Sequence, residues 1–261
     1  MTDKSLGTAL ITGASAGIGA TYADRLARRG HDLVLVARDQ GRMAALAERL
    51  RGETGVAIDL EPADLTDNRD LARIEQRLRE DDRIGLLVNN AGTAVRGGFA
   101  DADLDVLDRL IRLNVTAVTR LAGAVVPRFL TRGNGAVVNI SSVLALVPEL
   151  MPGIYSATKS FVLTFSQSLQ AELGSRGVYV QAVLPGATRT AIWAHAGRVD
   201  AIPGMMEVGE LVDAALVGFD RRESVTIPPL PDDSQWATFM AARGAMAANF
   251  RNEHAASRYR T

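Results

Sequence analysis

The chain has 261 residues, 29 Lys+Arg against 30 Asp+Glu, no Cys and 47% hydrophobic residues. That composition supports a substantial core, a net charge of −1 argues against a nucleic-acid surface spread over the molecule, and the lack of Cys excludes disulfides, thiolate–zinc sites and a Cys nucleophile. The three histidines, His31, His195 and His254, lack metal-ligand spacing, residues 1–7 carry no secretory signal, and no stretch approaches the ~20 apolar residues that span a bilayer, so a cytoplasmic protein without metal, nucleic-acid or membrane partners is expected.

Short apolar runs predict strands at Thr8–Ile11, Leu33–Val36, Val56–Ile58, Ile84–Val88, Ala136–Ile140, Val178–Val183 and Val225–Ile227. Several are apolar at nearly every position, as suits strands covered on both faces of a parallel sheet. Helical periodicity fills the intervals, at Ala20–Arg29, Arg42–Leu50, Leu71–Arg79, Leu104–Leu130 and Phe161–Leu173. The alternation predicts a Rossmann-type, doubly wound α/β sheet of about seven strands with helices on both faces. No linker divides the chain, so residues 1–261 read as one dinucleotide-binding catalytic domain. Two stretches break the alternation. Thr188–Glu207, with Gly197, Pro203 and Gly204, reads as a substrate lid. Residues 228–261 start with Pro228, Pro229 and Pro231 and read as a helical extension, with a cap, an oligomer contact and surface decoration all open as roles.

The first strand runs into Thr12-Gly13-Ala14-Ser15-Ala16-Gly17-Ile18-Gly19, and a helix follows. Glycines let the backbone turn tightly and approach a pyrophosphate, and the helix N-terminus offers N–H groups to it. Gly13, Ser15, Gly17, Ile18 and Gly19 are therefore candidate cofactor contacts. The same residues match G-x-S-x-G, the nucleophile elbow of serine hydrolases, with Ser15 as nucleophile. Only one strand precedes the turn, no oxyanion segment lies upstream, and Gly19 has no role in that motif, so the dinucleotide reading is preferred.

The second strand ends at Val36-Ala37-Arg38-Asp39. Ala37 cannot bind the ribose hydroxyls of NAD, whereas Arg38 can pair with the 2′-phosphate of NADP. Asp39 keeps NAD(H) open: it either reaches the ribose or caps the next helix. NADP(H) is the favoured cofactor, with Arg42 as a second positive charge.

Tyr155 and Lys159 form Tyr-x-x-x-Lys, which puts both on one helical face. An ammonium near a phenol favours the phenolate. The strand before them ends at Asn139-Ile140-Ser141-Ser142, where a serine can hydrogen-bond a substrate oxygen. Asn114 shares a helix face with Leu107, Leu110, Ile111, Val118 and Leu121, and a buried amide there needs partners. It is either a helix-distorting Asn bonded to backbone or an anchor, through backbone and water, for a proton relay that includes Lys159.

In order and at this spacing, the chain resembles the short-chain dehydrogenase/reductase family over residues 6–190. The resemblance rests on Thr12 to Gly19, Asp64, Asn89-Asn90-Ala91-Gly92, Asn114, Ser142, Tyr155, Lys159 and Pro185-Gly186. It implies that Tyr155 is the general acid or base and also contacts the cofactor, that Ser142 holds the substrate oxygen, and that Lys159 binds the nicotinamide ribose and lowers the Tyr155 pKa. Asn114 supports the relay by way of water. Asp64 meets the adenine, unless it caps the next helix. Asn90 meets the adenosine side and Thr188 the carboxamide, with Pro185 and Gly186 beside the cofactor. Ala16 departs from the pattern, since many NADP-dependent members carry a basic residue there, and this leaves Arg38 to discriminate the 2′-phosphate.

Val143–Gly153 and the lid are rich in apolar residues, among them Leu144, Met151 and Trp193 as candidate substrate contacts. The expected activity is hydride transfer between NADP(H) and an apolar ketone or secondary alcohol, by a homodimer or homotetramer with a C2 contact through the two long helices. The alternative is a nucleotide-sensing protein on the same fold.

Overall fold

The computed structural model describes residues 7–95, 99–190 and 204–260. Seven parallel strands form its sheet: β1 (Thr8–Thr12), β2 (Leu33–Ala37), β3 (Ile58–Pro62), β4 (Ile84–Asn89), β5 (Gly135–Ile140), β6 (Val178–Val183) and β7 (Val225–Thr226). Their order is β3-β2-β1-β4-β5-β6-β7. β1, β2, β4, β5 and β6 are buried at every position, which is why their sequences are continuous apolar runs.

Helices cover both faces: α1 (Gly17–Arg28), α2 (Gln40–Thr54), α3 (Asn68–Glu80), α4 (Leu104–Arg132), α5 (Ile154–Leu173) and α6 (Val208–Asp220). Side chains alternate across each strand and so build two cores. On one face Ile11, Leu35, Val88 and Val138 meet Tyr22, Leu26, Met43, Val212 and Phe219 from α1, α2 and α6. On the other, Leu10, Val36, Leu87 and Val137 meet Ile74, Leu78, Leu121, Phe129 and Leu173 from α3, α4 and α5.

Three elements differ from the sequence reading. The third strand is Ile58–Pro62, not Val56–Ile58. Among the described residues it pairs only with β2, and at this edge apolar Ile58 and Leu60 alternate with Asp59 and Glu61, which pair with Arg77 and Arg73. An alternating edge strand has no wholly apolar run to mark it, so the apolar Val56–Ile58 stands out instead. α6 was not anticipated between the lid and the last strand. α4 contains a π-helical turn at Arg112–Ala117, around Asn114. α4 is also long and apolar enough to cross a bilayer by length and composition. Part of its apolar surface lies in the core: Leu121, Val125 and Phe129 are buried beside α3 and the sheet, and Arg120 pairs with Glu75 of α3.

The chain divides after Pro228 into two units. The second holds α7 (Asp233–Ala247), capped by Asp232 through the Ser234 amide at 2.9 Å. Trp236 stacks on Phe239 at 5.4 Å, and no α7 residue is buried.

The chain runs outward from β1 to β2 and β3, then returns to β4 on the other side of β1. The connections at the carboxyl ends of β1 and β4 therefore diverge, and the crevice they leave is where open α/β sheets take ligands.

Candidate active site

The glycine turn lines one wall of that crevice. Gly13 has φ +66°, in the left-handed region, and a Cβ there would lie 2.7 Å from Asn90 Nδ2 and 2.9 Å from Ala91 Cα. A Cβ on Gly19 would lie 2.3 Å from the Gly13 carbonyl oxygen. Close approach requires glycine at both positions, and at Gly13 the left-handed backbone requires it as well. Asn90 Nδ2 donates to the carbonyls of Thr12 (2.9 Å) and Gly13 (3.3 Å), while Thr12 Oγ1 accepts from the amides of Asn90 and Ala91, both at 3.0 Å. These bonds lock the turn to the loop after β4. At the start of α1, Ala16 supplies no side-chain cap and the first turn has no acidic residue. The helix thus presents its N–H groups and positive dipole end to the crevice, which fits a bound pyrophosphate. Ser15 and Ile18 are half-buried on this turn.

At the end of β2, Arg38 is exposed, and no hydrogen bond or ion pair among the described residues holds its guanidinium, although its carbonyl accepts from the Gln40 amide at 3.1 Å. Asp39 is engaged differently. It caps α2 by accepting from the Arg42 amide at 3.0 Å, and it pairs with Arg42 Nε at 3.2 Å. Of the two readings left open for Asp39, this geometry is the helix cap. Asp64 caps no helix, since Asp67 takes that place on α3. Asp64 Oδ1 accepts from the Thr66 amide (2.9 Å) and hydroxyl (2.7 Å). Burial pushes the Asp64 carboxyl up, but those bonds and the charges of Arg38 and Arg109 outweigh it and hold it below the usual carboxylate range. Arg109 was missed in the sequence, because on an exposed helix face it looks like any solvated cation.

The opposite wall comes from β5 and the first turns of α5. Lys159 is buried, and its Nζ donates to the Ile140 carbonyl at 2.9 Å. Ser141 Oγ donates to the Lys159 carbonyl at 2.7 Å. Ser142 Oγ accepts from the Leu144 amide at 3.1 Å and lies 3.4 Å from the Pro185 carbonyl. The Lys159 ammonium sits 5.7 Å from the centre of the Tyr155 ring. Burial pushes the Tyr155 phenol up to about 12 and the Lys159 ammonium down to about 8. In this environment burial, rather than the neighbouring ammonium, governs the phenol, which is held as the protonated acid.

Asn114 is 1% exposed. Its Oδ1 accepts from the Thr93 amide at 3.0 Å, and its Nδ2 donates to the Thr93 carbonyl at 2.9 Å and to Thr158 Oγ1 at 3.1 Å. The amide therefore joins the loop after β4 to the helix that carries Tyr155 and Lys159. Thr93 and Thr158 were not singled out in the sequence, since nothing in a Thr beside a motif distinguishes a buried linker from a surface residue.

Pro185 is buried and Gly186 partly so, and the Gly186 carbonyl accepts from Thr188 Oγ1 at 3.0 Å. The two ends of the expected lid meet: the Met206 amide donates to the Ala187 carbonyl (2.9 Å) and the Arg189 amide to the Met206 carbonyl (3.0 Å). Leu144 is buried and Met151 partly exposed, while Trp193 and His195 lie outside the described residues. His31 is bound to the Gly7 carbonyl at 2.8 Å, just before β1 and at the other end of that strand from Ser15, so it offers Ser15 no base.

The family model for short chain dehydrogenases matches residues 7–199. The human very-long-chain 3-oxoacyl-CoA reductase is 38% identical over 188 residues, covering 68% of this chain, and this chain spans only 58% of its length. Among solved structures, a short-chain dehydrogenase from Sphingobium yanoikuyae in complex with NADPH is 60% identical, with a TM-score of 0.95 over 97% of this chain and 100% of that one. A bulky-bulky ketone specific alcohol dehydrogenase from Comamonas testosteroni is 55% identical, with a TM-score of 0.92 over 98% and 99% of the two chains.

Proposed function

The chain belongs to the short-chain dehydrogenase family, and we propose that it is an NADP(H)-dependent oxidoreductase that interconverts ketones bearing a bulky apolar group on each side and the matching secondary alcohols. The observation that carries this reading is the gathering of Asn114, Lys159 and the first turn of α5 around the end of β5, across the crevice from an uncapped glycine turn.

In reduction, the Ser142 hydroxyl holds the carbonyl oxygen. The Tyr155 phenol, with its pKa raised to about 12, is protonated across the neutral range and donates to that oxygen as it gains charge. Lys159, at about 8, is charged at neutrality and stabilises the phenolate that proton transfer leaves behind. Asn114 steadies the helix from which both act and supports the return of the proton by way of water. In oxidation, Tyr155 takes the alcohol proton. NADPH held at this site would supply the hydride in reduction, and NADP+ would take it up in oxidation. Gly13, Ser15, Gly17, Ile18 and Gly19 would hold its pyrophosphate, Asp64 and Asn90 the adenosine end, and Lys159, Pro185, Gly186 and Thr188 the nicotinamide end. Arg38 would take the 2′-phosphate, and the commitment of Asp39 to Arg42 supports NADP over NAD. The ketone class is supported by the Comamonas testosteroni relative and by the apolar Leu144, Met151 and Trp193.

Ketone reduction by the wild type and by Arg38→Ala, each with NADPH and with NADH, tests this reading. The wild type is expected to prefer NADPH by at least about tenfold in kcat/KM, a gap of ~1.4 kcal/mol. Arg38→Ala is expected to lose that preference with NADH turnover unchanged. Reduction with neither cofactor, or an unchanged preference in the variant, contradicts it.

The working form is proposed to be a homodimer or homotetramer built on a C2 contact between α4 and α5. Leu104 and Ile111 of α4 and Phe161 of α5 are exposed, with Phe161 stacked on Phe165 at 5.6 Å. Sedimentation at micromolar concentration is expected to show a dimer or larger; a monomer at all concentrations contradicts it.

A further inference from the structure

We infer that Thr158 is a positioning residue of this reaction: its hydroxyl fixes the Asn114 amide and, through it, the helical turn that carries Tyr155 and Lys159. The inference rests on the catalytic reading above.

Thr158 and Asn114 are both buried, at 3% and 1% exposure, so neither side chain has bulk water to bond. Thr158 Oγ1 lies 2.7 Å from the Tyr155 carbonyl oxygen and 3.1 Å from Asn114 Nδ2. A carbonyl only accepts, so the single hydroxyl proton goes to Tyr155 and the Thr158 oxygen must accept from Asn114. That choice fixes the amide. With Nδ2 toward Thr158 and the Thr93 carbonyl, Oδ1 faces the Thr93 amide, and each bond pairs a donor with an acceptor. A flipped Asn114 would set Oδ1 against the Thr158 oxygen and the Thr93 carbonyl, and Nδ2 against an N–H. The orientation of Asn114 is thus set from two sides, and Thr158 is the side that belongs to α5.

The consequence reaches the reacting groups. A Cβ on Gly92 would sit 3.3 Å from Asn114 Oδ1 and 3.6 Å from Lys159 Nζ, so the amide and the ammonium flank the same backbone position. On its other side, α5 is tied to β5 by Lys159 Nζ on Ile140 and by Ser141 on the Lys159 carbonyl. Thr158 supplies the tie toward α4, at the π-helical turn. Removal of its hydroxyl leaves Asn114 held by Thr93 alone and frees the Tyr155 turn on that side. Displacements of about 1 Å at reacting groups can cost about 100-fold in rate.

The test compares full-length wild type, Thr158→Val, Thr158→Ser and Tyr155→Phe in ketone reduction with NADPH across the alkaline range, with thermal unfolding in parallel. Valine keeps the shape and removes the hydroxyl; serine restores it. For Thr158→Val we expect kcat to fall about tenfold, with both KM values within about twofold, and the alkaline limb of the kcat profile to move by about half a pH unit. Thr158→Ser is expected to recover most of the rate and the wild-type limb. Should the valine variant not fold, Thr158→Ala serves the same comparison. A valine variant with wild-type kcat and wild-type pH profile overturns the inference even if its Tm falls, as does a serine variant equally impaired. Those results beside an inactive Tyr155→Phe overturn this inference alone. Wild-type turnover in Tyr155→Phe overturns the catalytic reading and the inference with it.

Discussion

Replacement of Tyr155 by Phe is expected to lower kcat for ketone reduction by about three orders of magnitude, within the span of about 10²–10⁴ that a positioned general acid contributes. The NADPH Kd is expected to stay within about twofold, because the ring is kept and only the hydroxyl is lost. Steady-state kinetics beside calorimetric titration separate the two effects. The result also divides an enzyme from a nucleotide sensor: a sensor has no use for the proton and would be indifferent to the change. A pH dependence follows from the same pair. The Tyr155 phenol, pushed up to about 12, stays protonated well above neutrality, whereas Lys159, pushed down to about 8, does not. As pH rises through about 8, Lys159 loses the charge that stabilises the phenolate left when Tyr155 gives up its proton, and the reduction rate is expected to fall there. A rate that stays flat to about pH 10 contradicts this assignment of the limb.

Gly19→Ala is expected to weaken NADPH binding by at least about 100-fold, about 2.7 kcal/mol. The added methyl would lie 2.3 Å from the Gly13 carbonyl oxygen and 2.5 Å from Asn90 Nδ2, so the turn itself must move. That movement also pulls at the Asn90 bonds to Thr12 and Gly13, which couple the turn to β4. Gly52→Ala is the matching control. It lies within α2 with nothing within 4 Å of an added Cβ, so alanine there is expected to help the helix slightly and leave binding alone. Calorimetric titration of both variants with NADPH checks the contrast. Equal affinity in Gly19→Ala and wild type would mean that the turn does not hold the pyrophosphate.

The sequence disclosed most where a residue faces a single strong constraint. β1, β2, β4, β5 and β6 are covered on both faces, and their apolar runs read as strands without ambiguity. Gly13 and Gly19 sit where backbone must approach backbone, and the pattern of glycines reports it. The reading faltered where two constraints share a segment. β3 is an edge strand, and its Asp59 and Glu61 mask the strand while serving ion pairs. α4 kept an unbroken helical period across its π-helical turn, because one extra residue in a turn shifts the period too little to see beside Asn114. α6 lay hidden behind the glycines and proline of the preceding stretch. Asp39 could be a ribose ligand or a cap on sequence alone, and only the Arg42 contacts distinguish them. Thr93 and Thr158 carry no signature, since their importance comes from a bond partner far away in the chain.

The central claim is that this site moves a hydride from NADPH to a ketone carbon while Tyr155 supplies the proton. It is tested most directly by incubating the enzyme with NADPH deuterated at the nicotinamide C4, in separate reactions for each face, and a ketone flanked by two bulky apolar groups. The product is then read by mass spectrometry. The account predicts a secondary alcohol with one deuterium on the carbinol carbon for one face of the nicotinamide and none for the other. It also predicts that Tyr155→Phe forms almost no alcohol although NADPH is bound. Alcohol without deuterium from either face, or no alcohol from an enzyme saturated with NADPH across a range of such ketones, would contradict it.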